Sequence, residues 1–594
     1  MAAKSKTRSP ATPKTEDESP LGQETPEARH LQRACDVAVA GIALIMLIIV
    51  CSLSTMHVLW PDDQYTDMNT LMSGENFAEH GLFRLRMLPV FYLGAMTDPP
   101  SYYTHYPPFT NLVNGLLRIV GVESLAAIRI FYGLVGIVGL VCMYRAFASD
   151  IGPLAAACGL GFLGTTGFFF TYCISLHHTF NFFFVGVFIL LFTRAVRSDR
   201  PAMKAWIGCW VVLMLEALTS FEFIIYPQVF AWVYVLATGR LRKCWRPLIV
   251  LGTAPVAGVG LHFLQNCWAL GWSAAVEDAA DAFRRPGRGF EQDRWAVLMD
   301  KVPEFVLSHS RRLYYWSWPV LPIVGVVWLT LAGRERGGAA TIRRAGALLL
   351  AALAGSVTWY FFMPVHTIKH PHTMSQLLPL IVIVMGGGIG VMVRWLYQRG
   401  VPVHGRVLAV VALLVVILGQ KRSIGECFER ADRRPESFYL FEAMGESAFP
   451  SNAAVLTNTY ADAQLAYFIR RPLWRSPTPV LPFTSESLSS LQNRLPPGWS
   501  VQFYIFDSNL SGIDRTTFEL LAKNCPGRLL VLPVKRPRQA LAVFDIRPLL
   551  APPEQRRPLP AEIQQRQLKW QFPRWDQPEF ARRMQEVLSR HGKL

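Results

Sequence analysis

The chain reads as an α-helical polytopic membrane protein with about eleven spans, interfacial helices in its first outer loop and a small α/β domain towards the C-terminus. Three observations carry this reading. Of the 594 residues, 51% are hydrophobic and 17% are charged, whereas a soluble protein carries charge on roughly a quarter of its residues. Apolar runs near the roughly 20 residues needed to cross a bilayer recur between positions 36 and 420. The short loops joining them alternate between basic and non-basic. The mean hydropathy of +0.25 agrees.

A net charge of +17 would suit nucleic acid, but its distribution argues against that partner. Much of the basic excess lies in short loops between apolar runs, where a topology signal is expected. No zinc-finger spacing or RNA-binding signature accompanies it.

Residues 1–35 are polar and rich in Lys, Glu, Pro, Ser and Thr, a composition that predicts a disordered cytoplasmic tail. The first apolar run, Asp36 to Trp60, is too long for a signal-peptide core and lacks a cleavage site, so it is an uncleaved span. Arg29 and Arg33 hold its N-terminus in the cytoplasm. Further spans are predicted at about 125–147, 152–174, 178–196, 204–219, 222–238 and 247–270, and at about 314–332, 345–363, 376–396 and 404–420. Counting from a cytoplasmic start, the even-numbered loops contain TRAVRSDRPAMK, GRLRKCWRP, GRERGGAATIRR and RWLYQRGVPVHGR. These are the most basic short loops of the membrane region, so the positive-inside rule is met. Loops 61–124, 271–313 and 364–375 then face outward, as does everything after 420.

Residues 421–550 have a different texture. NAAVLTNTYADAQLAYFIRRPL suggests a strand, a turn and a helix; SVQFYIFDSN, GRLLVLPV and ALAVFDI suggest further strands. SGIDRTTFELLAKNC reads as a helix between two of them, so the segment is predicted to be an α/β domain. Residues 551–594 form a charged, Pro-punctuated tail ending in an amphipathic helix near EFARRMQEVLSRH. Most of the ten Cys are scattered through apolar segments as small hydrophobes. Cys427 and Cys525 lie in the polar region, where an oxidising compartment would admit a disulfide between them.

The first outer loop is the most informative stretch. WPDDQYTDMNTL places Asp62, Asp63 and Asp67 where the chain leaves the first span. The following MNTLMSGENFAEHG predicts a short helix with Met68, Leu71, Met72 and Ala78 on one side and Gly81 as its stop. YTHYPPFTNLVNGLLRIVG opens on paired prolines, which suit a first helical turn. Phe109, Leu112, Val113, Leu116, Leu117 and Val120 then form one face, and Thr110, Asn111, Asn114 and Arg118 the other.

This order resembles the GT-C superfamily of integral-membrane glycosyltransferases, in particular its protein O-mannosyltransferase-like and aminoarabinose-transferase-like branch. The matching residues are Asp67, the NFAEHG segment, His105, Pro107, Pro108 and Gly121. AAIRIFYGLVG, with Arg129, resembles the start of that family's second span. The resemblance implies an inverting transfer of a sugar from a polyprenyl-phosphate donor to a hydroxyl on a lipid, polysaccharide or protein acceptor. It would occur at the outer face of a bacterial inner membrane, in contact with membrane lipids and without nucleic acid. No certain cofactor is implied, and a divalent metal stays open. A transporter or flippase of lipid-linked glycans is the alternative class.

Attack on an anomeric carbon requires removal of the acceptor's proton, a task for a positioned carboxylate, and the leaving phosphate requires cationic or hydrogen-bonding groups. Asp67 is favoured as the base over Asp63 and Asp62 by its spacing to the helix and Gly81. The bland alternative is a helix N-cap, which the same position suits. His105 precedes the second helix and is a candidate phosphate contact.

VHTIKHPHTMSQLLP gathers His366, Lys369, His370 and His372 in one outer loop, a phosphate- or sugar-binding cluster whose spacings match no standard zinc pattern. His177 and His178 stand at the outer end of the fourth span, where many relatives carry an acidic residue. Glu222, opening another outward-facing span, is either the substitute carboxylate or simply an interfacial or hydrogen-bonded Glu. Arg284 and Arg285, in VEDAADAFRRPGRG, suit bidentate phosphate contacts, though such a run is more often a solvated helix face. Glu216 sits inside an apolar span, where ionisable groups are costly and tend to be functional.

Overall fold

The computed structural model describes residues 26–55, 64–173, 175–198, 202–284, 339–362, 370–398, 421–432, 436–459, 462–475, 490–507, 514–531, 540–551 and 553–570. The chain enters the first apolar run as a helix already formed: α1 spans Pro26–Thr55 and starts ten residues before Asp36, inside the segment expected to be tail. Gln32 explains part of the extension, donating to Asp36 Oδ1 at 2.8 Å and to the Tyr144 hydroxyl at 3.1 Å.

Two helices of the first loop follow, α2 (Gln64–His80) and α3 (Phe109–Ile119), packed on each other. The apolar runs then give α4 (Leu125–Ile151), α5 (Pro153–Gly164), α6 (Thr179–Arg197), α7 (Met203–Ala217), α8 (Ile225–Ala237) and α9 (Leu241–Leu270). Ser124 starts α4 by accepting from the Ala127 amide at 3.4 Å, which satisfies one of the donors that every helix start leaves over. The run 152–174 is a broken element rather than one span: α5 ends at Gly164, and Phe169–Cys173 forms a separate π turn. The basic LRKCWRP stretch belongs to the first turns of α9 and not to a loop. After α10 (Trp272–Arg284) come α11 (Ala339–Phe362) and α12 (Leu378–Gln398). The predicted spans at 314–332 and 404–420 lie outside the described residues.

Among the described residues, four helices are long and apolar enough to cross a membrane: Arg29–Thr55 of α1, and α4, α6 and α9. Shorter apolar helices accompany them at Pro153–Gly164, Ile225–Ala237, Arg344–Trp359 and Ser375–Gly390. α5 packs on α12, α4 on α6, α8 on α11 and α7 on α9. The α4–α6 pair approaches at backbone distance: a Cβ at Gly186 would lie 2.3 Å from the Gly139 carbonyl oxygen. Close approach through small residues is how helices gain contact where lipid gives no hydrophobic driving force.

α13 (Lys421–Asp432) and α14 (Glu436–Met444) lead into a five-stranded sheet. Its strands are β1 (Ala453–Thr457), β2 (Leu473–Arg475), β3 (Ser500–Asp507), β4 (Gly527–Val531) and β5 (Ala540–Asp545), in the order β2-β1-β3-β5-β4. β1 is parallel to β2 and β3, and β5 is antiparallel to β3 and β4. β1 is buried along its whole length, as expected of a short apolar strand covered on both faces. One face packs Leu440 and Phe441 of α14 with Leu465 and Ile469 of α15 (Asp462–Ile469). The other packs Leu521, Ala522 and Cys525, beside α16 (Asp514–Asn524).

Part of the segment read as a charged tail closes this layer as α17 (Ala561–Leu568). The buried Gln567 donates to Ala522 O at 2.7 Å and Cys525 O at 3.0 Å, and accepts from the Gly527 amide at 2.7 Å. Cys427 and Cys525 are both free thiols. Cys525 is in the core of the sheet, and Cys427 packs against the helical core, so the admitted disulfide does not form.

The first loop departs from its expected shape in two ways. The first half of α2 is buried on every side, from Asp67 through Gly74, while Ala78, expected on the apolar face, is exposed. α3 turns the other way: Thr110, Asn111 and Asn114 are buried, whereas Leu116, Ile119 and Val120 are exposed. Its polar side therefore faces protein and its apolar edge faces out.

Candidate active site

The side chains that matter meet around the turn 175–178, between the π turn and α6. Asp67 lies in the first turn of α2 and is only 2% exposed. Its Oδ1 accepts from the Leu176 amide at 3.0 Å, across 109 residues. The helix begins at Gln64, three residues earlier, so Asp67 is inside the first turn and not at the flanking cap position. The positive end of α2 favours a carboxylate there. The Thr110 hydroxyl donates to His177 O at 3.4 Å, which ties α3 to the same turn.

On the other side of the turn stands Glu222, between α7 and α8, where a Thr-Ser-Phe-Glu turn interrupts the apolar run. The Tyr106 hydroxyl donates to Glu222 Oε1 at 3.0 Å. His372 Nε2 donates to Oε2 at 2.9 Å. The Gln376 amide donates to the Glu222 carbonyl at 3.0 Å, and Glu222's own amide donates to Ser220 Oγ at 3.2 Å. Both carboxylate oxygens are engaged, as a buried carboxylate requires.

The His372 ring stacks on His178 with centroids 3.9 Å apart and planes at 16°. His177 meets His178 edge-on at 4.9 Å, and His370 lies 5.5 Å from His372. Burial pushes the His178 imidazole well below the usual histidine range, with His372 adding repulsion and Glu222 opposing. His177 is pushed down in the same way, first by burial and then by His178 and His372.

His105 enters from the loop before α3. Its Nδ1 lies 3.6 Å from Asp278 Oδ1 of α10, and its ring meets Tyr103 edge-on at 5.4 Å. Tyr103, Tyr106 and Phe221 form a near-parallel ladder with steps of 6.5 Å. The end of α9 holds this loop. His262 Nε2 donates to Thr104 O at 2.9 Å, Gln265 to Met87 O at 2.8 Å, and Arg86 to Ala269 O at 3.0 Å and to Trp268 O. Arg86 and Met87 adopt left-handed backbone, φ 53° and 57°, and the guanidinium sits where a helix C-terminus favours a cation.

No family model and no curated protein matches the sequence. Solved structures do. ArnT from Cupriavidus metallidurans in the apo state superposes with a TM-score of 0.53 at 15% identity, covering 87% of this chain and 98% of that one. The same protein bound to undecaprenyl phosphate superposes at 0.52, again at 15% identity, over 87% and 99%. The chain has the GT-C fold. The apo oligosaccharyltransferase of Archaeoglobus fulgidus aligns at 0.46 and 11% identity, over 79% of this chain and 69% of that one. With its apolar helices, this GT-C chain is an integral membrane protein.

Of the residues singled out from sequence, the GT-C fold brings Asp67, His177, His178, Glu222, His370 and His372 to one place, with His105 joined through its tyrosines. Asp62, Asp63, His366, Lys369 and Arg285 lie outside the described residues. Arg284 closes α10. Glu216 is fully buried on α7, and neither of its carboxylate oxygens has a hydrogen-bond partner among the described residues. Among those residues, no group of three or more His, Cys, Asp or Glu is placed to hold a metal ion.

Sequence reading missed Tyr106, Gln376 and the role of Asp278 as partner of His105. Tyr106 had a signal, since it lies between His105 and the paired prolines. Gln376 had none.

Proposed function

We propose that this GT-C protein transfers a sugar from a polyprenyl-phosphate donor to an acceptor hydroxyl, with inversion, at the outer face of a bacterial inner membrane. Asp67 is the general base. The observation that carries the reading is the buried Asp67 carboxylate, held by the Leu176 amide one residue from the His177–His178 pair. Removing the acceptor's proton during attack calls for a carboxylate fixed in place, and the leaving phosphate calls for donors nearby. His105 or Lys369 supplies those donors. ArnT bound to undecaprenyl phosphate shares this fold, which supports the donor class.

In this reading about eleven spans carry the site, and residues 421–550 form an outward-facing domain that helps hold the acceptor or closes the site. Asp67→Asn keeps the shape and the hydrogen bond from Leu176 but removes the base. Sugar transfer in membranes should fall by about 10²–10⁴-fold with protein abundance unchanged. Full turnover in that variant would remove Asp67 from the role.

A further inference from the structure

Glu222 was expected to stand in for a second catalytic carboxylate, but its surroundings assign it other work. Both of its oxygens are occupied, Oε1 by the Tyr106 hydroxyl at 3.0 Å and Oε2 by His372 Nε2 at 2.9 Å. Its main chain is pinned by Gln376 and Ser220. A carboxylate engaged in this way is poorly placed to accept a substrate proton and well placed to fix an imidazole. Imidazoles at reactive sites are commonly oriented by the group bonded to their second nitrogen.

The stack on His178 completes the arrangement. Two imidazolium rings in van der Waals contact repel each other strongly, and these rings are 3.9 Å apart. The pair therefore carries at most one positive charge. His178 is the ring kept neutral, by burial first and by His372 second. His177, His370 and Tyr172 surround the pair, and Asp67 is bound to the preceding Leu176.

We propose that His372 is a catalytic residue that meets the phosphate of the lipid-linked donor, and that Glu222, with Tyr106 behind it, is a positioning residue acting only through His372. This deepens the glycosyl-transfer reading and rests on it. In the step, the bond from acceptor oxygen to anomeric carbon forms as the bond from that carbon to the phosphate oxygen breaks. The acceptor's proton goes to Asp67, and the electron pair of the broken bond goes to the phosphate oxygen. His372 donates a hydrogen bond to the resulting phosphate.

The test uses the full chain in phosphatidylcholine nanodiscs, with undecaprenyl phosphate as the probe. His372→Ala should weaken binding at least tenfold, and Glu222→Ala nearly as much. The double variant should be no weaker than His372→Ala alone, because a positioning residue has nothing left to position. Free imidazole should restore binding to His372→Gly. If the His372 variants fail to fold, Glu222→Gln and Tyr106→Phe replace them: each should cost a few-fold, and together no more than the stronger one.

Additive losses, or wild-type affinity in His372→Ala, would overturn the inference and leave the transfer reading standing. Failure of the wild type to bind the probe at any concentration would remove the donor reading itself, and this inference with it. Asp67→Asn should still bind the probe while losing turnover. Turnover retained there strikes only at the base assignment.

Discussion

Asp67 and His178 meet at the 175–178 turn but face opposite costs. The proposed base, Asp67, needs a negative charge while buried, and the Leu176 amide and the positive end of α2 both favour one. His178 is instead held without charge. Its depressed pKa makes the folded state bind fewer protons than the unfolded chain between the two values. Stability from this source is therefore present above the unfolded histidine range and is lost as pH falls below it. Thermal unfolding of the detergent-solubilised protein should come at lower temperature at pH 5 than at pH 7, and His178→Gln should narrow that difference. An unchanged pH response in the variant would show that other groups set it.

Local pattern was enough to single out Asp67, His105, Glu222 and His372, because each is a polar residue at the edge of an apolar run. It did not reveal their partners. Tyr106 and Glu222 are 116 residues apart, and His372 and Glu222 are 150 apart; no periodicity carries such a pairing.

α3 illustrates how amphipathicity misleads when the solvent is unknown. The alternation of Phe109, Leu112, Val113 and Leu116 against Thr110, Asn111 and Asn114 was plain in the sequence, and a helix does form there. Which face points inward was not plain. Asn114 donates to Thr70 O at 2.7 Å and Thr110 reaches the site turn, so protein claims the polar side. The exposed Leu116, Ile119 and Val120 then suit a lipid boundary.

The glycines of α4 and α6 were equally visible and equally mute, since nothing local says that Gly139 and Gly186 face each other. Gly186→Ala forces a methyl group against the Gly139 carbonyl and should destabilise by about 1–3 kcal/mol. The readout is a lowered unfolding midpoint in detergent. Gly41→Ala is the control, having nothing within 4 Å of its new Cβ.

Four of the five strands near the C-terminus were legible because short apolar runs between turn residues have few alternatives; β2, three residues long, was not. Nor was how the sheet meets the first loop. Glu75 of α2 lies between Arg118 of α3, at 3.4 Å, and Arg470 just after α15, at 2.9 Å. The Asp98 amide also donates to Arg494 O at 2.9 Å. The helix bearing Asp67 is thus tied to the region that folds around the sheet. Arg470 is nearly half exposed, so its pairing with Glu75 is of the weak class. A double-mutant cycle of Glu75→Gln and Arg470→Gln, read by thermal unfolding, should return a coupling of about 0.2–1 kcal/mol. Zero coupling would mean that apolar packing and backbone contacts hold the two ends without this ion pair.

Those backbone contacts have their own reach. At Gly94, with φ at 93°, a Cβ would come 2.9 Å from the Arg470 carbonyl oxygen, and Arg470 is itself left-handed at φ 50°. Any larger residue at 94 is therefore a wedge driven between loop and sheet. It would pry the two apart at a known seam while leaving the helical bundle alone, and so separate what the membrane part does by itself from what the outer part adds.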